Sequence, residues 1–150
     1  MNEQETIQAA SRPGTRENLY EDLIALGVKP GMTLLVHSAM SKLGWVCGGP
    51  VAVIQALMDA LTPQGTLVMP AHSGDLSDPA IWQHPPVPPE WVESIRASMP
   101  AFDPRYTPTR GIGRIGELFR TYPGVLRSNH PSDSFAAWGK HADFVTGGHS

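Results

Sequence analysis

"LLVHSAMSKLGWVCGGP", residues 34–50, runs from an apolar stretch through His37-Ser38 into Cys47, a glycine pair and Pro50. The apolar start reads as a strand covered on both faces, because such strands show no polar alternation. Pro50 suits the first turn of a helix, where a missing N–H costs nothing. Val53, Ile54, Leu57, Met58 and Leu61 then recur at helical spacing until Thr62, Pro63 and Gly65 end the pattern. "GTLVMPA", residues 65–71, supplies the next strand. Strand, helix and strand over residues 32–71 make one parallel β-α-β unit. The expected class is therefore α/β: a layered α/β/α arrangement around a mostly parallel sheet. Ligands of such sheets gather beyond the carboxyl ends of the strands. Those ends carry His37-Ser38 and His72-Ser73-Gly74-Asp75.

Working outward, residues 1–14 read as a flexible tail, since Ile7 is the only strongly apolar residue before Gly14 apart from Met1. The folded domain is expected to span 15–150. Thr15 offers a helix N-cap, Leu19, Leu23, Ile24 and Leu26 follow at helical spacing, and Gly27 can close the helix in left-handed geometry. Residues 76–110 hold eight prolines together with Trp82, Trp91 and Phe102, the composition of a structured excursion over the site. One short helix is expected there, from about Glu90 to Ser98. A further helix should follow "TRGIG", then short strands at "VLRS" and "FAAWG", then a helical turn in "KHADFVTGG".

The chain has 150 residues, 41% of them hydrophobic, with a formal net charge of −3, enough for one core. No cationic face interleaved with aromatics is present, so nucleic acid is not an expected partner. No apolar stretch approaches membrane-spanning length, and the polar start lacks a secretion signal, so a cytoplasmic protein is expected. The single cysteine excludes an internal disulfide.

Several residue groups carry possible chemistry. Ser38 and the N–H groups after it suit a carbonyl or phosphate oxygen, although Ser38 and Ser41 equally serve as turn caps. Cys47 beside Gly48-Gly49 has the placement of an activated thiol and equally that of a structural one. His72, Asp75 and Asp78 resemble part of a metal set, and a metal-dependent hydrolase built on His37, His72 and Asp75 is a third possibility. Three convergent ligands of fixed geometry are not evident, so no metal is expected. Asp75, Asp78, Glu90, Glu93 and Asp103 would favour a polycation, or form a solvated acidic surface. "TPTRGIG", residues 107–113, sets Thr109, Arg110, Gly111 and Gly113 before a helix, an arrangement suited to an anion. Arg127, Asn129, His130 and Ser134 form a compact polar turn, the kind that usually serves loop geometry.

Five blocks, "VHSAMSKLGWVCGGP", "GTLVMPAHSGDLSDPAIW", "PPVPPEWVESIRASMPAFDP", "TPTRGIGRIGELFR" and "RSNHPSDSFAAWGKHA", resemble, in order, the aminoglycoside N(3)-acetyltransferase family over residues 30–150. The resemblance implies a non-GNAT α/β fold and transfer of acetyl from acetyl-CoA to the 3-amino group of a 2-deoxystreptamine antibiotic, giving resistance. It implies coenzyme contacts at His37, Ser38, Thr109, Arg110, Gly111 and Gly113. Ala39 stands where the family often has a second serine. Asp75, Asp78, Glu93 and Asp103 would face the drug's ammonium groups. Family members continue past "GGHS" to a histidine and a glutamate thought to activate the amine. The catalytic base is therefore expected beyond Ser150, and the chain is expected to be truncated. An unpaired sheet edge and self-association would follow. The alternative is an inactive coenzyme A-binding or oligomerising remnant of the family.

Overall fold

A computed structural model describes residues 3–150. Its centre is a four-stranded sheet in the order β1-β2-β4-β3, with β1 at Thr33–Leu35, β2 at Thr66–Pro70, β3 at Leu126–Arg127 and β4 at Phe135–Gly139. β1 and β2 run parallel, Leu34 opposite Leu67, joined by helix α4 at Gly49–Leu61. This is the β-α-β unit expected from residues 32–71. Pro50 sits in the first turn of α4, and Ile54 and Leu61 are fully buried at the helix-sheet interface. Each such side chain stabilises the fold by roughly 1.5–3 kcal/mol through its removal from water.

The sheet is mixed rather than mostly parallel. β4 pairs antiparallel with β2, Thr66 opposite Gly139, and with β3. The reason lies in the connection: β3 and β4 are joined by a short polar turn, which can link only antiparallel neighbours. A helical crossover would be needed to turn β4 parallel to β3.

Helices lie on both faces of the sheet. Leu67 and Met69 of β2 point into a core with α4 and with α6 at Gly113–Phe119, whose Ile115 and Phe119 are fully buried. Leu19 and Leu23 of α2, Arg16–Ala25, pack against the same core. Val68 points to the opposite face, against Ala137 and Ala142 of α7, Ala142–Thr146. Thr15 caps α2 in a reciprocal box with Asn18, and Gly27 takes a φ of +94°, as the sequence predicts. Leu26, assigned to the same apolar stripe, is instead exposed.

Two further expectations change. β1 is not covered on both faces: Leu35 is 57% exposed, and β1 is an open edge of the sheet. An apolar run reports the sheet but not what lies beyond its last strand. The segment expected as a flexible tail contains α1, Glu3–Ala9. The main chain of Gly14 pairs with Trp45 and Cys47, tying that segment to the start of α4. Met1 and Asn2, also assigned to the tail, lie outside the described residues. Two short helices complete the set: α3 at Met40–Leu43, which follows the β1 exit, and α5 at Val92–Ser98 within the excursion.

Candidate active site

Three chain segments converge beyond the strand ends. After β1 the chain reaches Ser38, and after β2 it reaches His72. The turn before α6 is fastened between them, because the Arg110 amide donates to the His72 carbonyl at 2.9 Å. A cleft of about 130 Å³ forms where they meet, lined by Val36, His37 and Ser38 on one side and by Gly111, Ile112 and Gly116 on the other. A Cβ added at Gly113 would lie 3.9 Å from the Ser38 carbonyl oxygen, so the two turns face each other closely.

The turn's backbone has a distinctive shape. φ is +72° at Gly111, −87° at Ile112 and +82° at Gly113. This alternation of sign occurs in backbone nests, where successive N–H groups point to one side and receive an anion. Only glycine takes the two positive values without strain. α6 has seven residues, so its dipole adds little and the nest is the stronger feature.

Thr109 is committed elsewhere. Its amide and hydroxyl both donate to Glu117 Oε2, at 2.8 and 2.6 Å. Arg120 pairs with the same carboxylate. Burial pushes the Glu117 carboxyl up, but the hydrogen bonds from Arg120 and Thr109 outweigh it and hold the group at about 2. Thr109 thereby closes the turn onto its own helix.

Arg110 points away from the Ser38 cleft. Its guanidinium pairs with Asp75 and lines a second cleft of about 310 Å³ with Gly74, Trp82, Gln83, His84, Pro85 and Val87. Arg110 lines the second cleft while its neighbour Gly111 lines the first, so consecutive residues border the two clefts.

The acidic residues of the excursion are less free than their sequence implies. Asp78 accepts two guanidinium nitrogens of Arg96 and the Ala80 amide, and the Arg96 hydrogen bonds hold its carboxyl below the usual range. Glu93 shares Arg96. Asp103 is gripped by Arg105 and is likewise lowered. None of these three lines either cleft, whereas Asp75 pairs with a residue that does.

Arg127 organises the excursion. Its guanidinium donates to Ala71 O at 2.6 Å, Ser134 Oγ at 3.0 Å and the carbonyls of Pro104 and Thr107, and lies 5.0 Å from the Phe102 ring centre. Burial, reinforced by the charge of Arg120, lowers its proton affinity to about 10, so it stays charged at neutral pH. The sequence placed Arg127 in a geometry-serving turn but did not reveal its partners, which lie up to 56 positions away.

His130 and His149 are engaged as well. His130 Nδ1 accepts from the Asp133 amide at 2.9 Å, and its ring stacks on His149 at 5.0 Å. His72 packs edge-on against Phe135, and its Nε2 is buried without a hydrogen bond. Cys47 is exposed and lines neither cleft. Among the described residues, no three metal-ligating side chains come together, and no helix is long and apolar enough to cross a membrane.

The comparisons with known proteins agree with this architecture. A family model described as aminoglycoside 3-N-acetyltransferase matches residues 35–150. The SPbeta prophage-derived aminoglycoside N(3')-acetyltransferase-like protein YokD of Bacillus subtilis is 57% identical over 144 residues, a match covering 95% of this chain and 53% of YokD. Aminoglycoside N(3)-acetyltransferase VIII of Streptomyces fradiae is 45% identical over 145 residues, covering 95% of this chain and 49% of that protein. The crystal structure of YokD superposes with a TM-score of 0.94 at 55% identity, over 98% of this chain and 55% of that one. The structure of AAC-IIIb binary with CoASH gives 0.76 at 38% identity, over 93% and 51% of the two chains. The chain spans about half the length of the curated relatives it matches.

Proposed function

Because the chain belongs to the aminoglycoside 3-N-acetyltransferase family, we propose that it serves transfer of acetyl from acetyl-CoA to the 3-amino group of a 2-deoxystreptamine antibiotic, giving resistance in the cytoplasm. The observation that carries this reading is the Ser38 cleft facing the Gly111–Gly113 nest, with Arg110 at its border. His37, Ser38, Gly111 and Gly113 would hold phosphate and carbonyl oxygens of the coenzyme, Thr109 would set the turn, and Arg110 would supply the positive charge.

Asp75 would meet an ammonium group of the drug in the cleft beside Trp82. Asp78, Glu93 and Asp103 would add a longer-range attraction, reduced by their arginine partners. In the reaction an unprotonated amine attacks the thioester carbonyl, the C–N bond forms, and the C–S bond breaks to release coenzyme A. The ammonium must first lose a proton to a general base. His72 is poorly suited, since its Nε2 is sealed in the interior, and His130 Nδ1 already accepts a backbone N–H. With neither of these suited to the task, the reading keeps the sequence-based expectation that the base lies beyond Ser150.

The exposed edge of β1 supports self-association through strand pairing. Thiol release from acetyl-CoA in the presence of gentamicin tests the assignment, alongside calorimetry with coenzyme A. Turnover proportional to protein would support the assignment and show that the chain itself supplies a base, and Arg110→Ala should weaken coenzyme binding more than drug binding. Coenzyme binding without turnover would assign the inactive coenzyme-binding alternative. Absence of coenzyme binding would overturn both.

A further inference from the structure

We infer that the Arg110–Asp75 ion pair is an exchange device: an anionic coenzyme takes the guanidinium, the freed carboxylate receives a drug ammonium, and each ligand thereby strengthens binding of the other. This rests on the reading of the two clefts given above and adds their regulation.

The pair has the properties an exchange needs. It is held through one guanidinium nitrogen, with the Arg110 and Asp75 side chains 51% and 57% exposed, so both are reachable by ligands. The other acidic residues of the excursion are fastened more firmly. Asp78 has a bidentate arginine and a backbone donor, and Asp103 has Arg105 through two guanidinium nitrogens plus its amide. Meanwhile the Arg110 main chain is fixed by its bond to His72, so the side chain can swing while the turn stays in place. Gly111, the next residue, lines the Ser38 cleft, and the Arg110 side chain lines the Trp82 cleft. A rotation of one side chain therefore transfers a positive charge from the drug's cleft toward the coenzyme's.

Without ligands, the Arg110 charge opposes a polycation at Asp75, and the Asp75 charge opposes a phosphate at Arg110. Each ligand removes the charge that opposes the other. Binding linkage requires the two enhancements to be equal.

Calorimetry of the whole chain tests this, with gentamicin titrated with and without saturating coenzyme A, and coenzyme A with and without gentamicin. The expected enhancement is about two- to fivefold in each direction, the range set by one exposed ion pair. Asp75→Asn should bring the factor to one. Arg110→Gln should weaken coenzyme A and raise coenzyme-free gentamicin affinity to near the wild-type coenzyme-bound value. Glu21→Gln, which removes an exposed carboxylate of α2 that lines neither cleft, should keep the enhancement. Independent binding of the two ligands to the wild type, or an enhancement that survives Asp75→Asn, overturns the exchange while leaving the cleft assignments standing. Failure of coenzyme A to bind defeats the cleft assignment, and the exchange with it.

Discussion

The β-α-β scaffold and the proline-rich excursion above it are held together by different physics. In the scaffold, β2 is buried at all five positions and α4 contributes seven buried residues, all of them apolar. In the excursion, the 3-10 turn Pro79–Ile81 buries Pro79, but α5 and the 3-10 turns Gly74–Leu76 and Pro89–Trp91 bury nothing, and much of the order comes from Arg127, Arg96 and Arg105 reaching carbonyls and carboxylates. The scaffold's stability should respond mainly to shape and volume, the excursion's to charge. Site residues come from both: Ser38 from the rigid part, Arg110 and Asp75 from the part that charge controls.

The sharpest way to break this contrast is at Gly139. Its φ is +99°, and a Cβ there would lie 2.1 Å from the Gly65 carbonyl oxygen, inside the β2–β4 pairing. Gly139→Ala is expected to cost about 3–5 kcal/mol and to lower the whole denaturation curve cooperatively. Arg127→Ala comes next, at about 2–3 kcal/mol, because the carbonyl of buried Ala71 and those of half-buried Pro104 and Thr107 lose a charged donor. Its mark is regional: hydrogen exchange should speed up at the Ser73, Thr107 and Arg110 amides while α4 stays protected. Equal loss of protection in α4 would show that the two regions are a single cooperative unit.

The smallest effect concerns Glu117. Its folded value of about 2 lies below the ordinary 4.5, so it contributes stability above the ordinary value, and that contribution is lost as pH falls from about 4.5 to about 2. Partial exposure reduces the contribution to about 1 kcal/mol. Stability curves of the wild type and Glu117→Gln measured across that window should converge at its acidic end.

What the sequence revealed follows the same division. Residues 49–61 were legible as a helix because Pro50, the 3.6-residue spacing and Thr62 agree. Ser38 and the Gly111 turn were linked only by the family resemblance, because the turn follows the proline-rich excursion and no local pattern reports which strand end it returns to. The direction of β4 was not, since "FAAWG" has the same residue pattern in either orientation. The fate of the carboxylates was also hidden: Asp78 meets Arg96 and Asp75 meets Arg110 across 18 and 35 positions, and local charge patterns do not report such pairings. The exposed face of β1 escaped because an apolar run is the same whether or not a neighbour covers it.

The grip of Arg127 on Ala71, Pro104 and Thr107 bears on tempo. It fastens the Pro104–Thr107 part of the excursion to the chain at the end of β2, so reorienting exposed side chains at the clefts disturbs fewer bonds than lifting that part as a flap. Such reorientations take picoseconds to nanoseconds, while flap opening takes microseconds or longer.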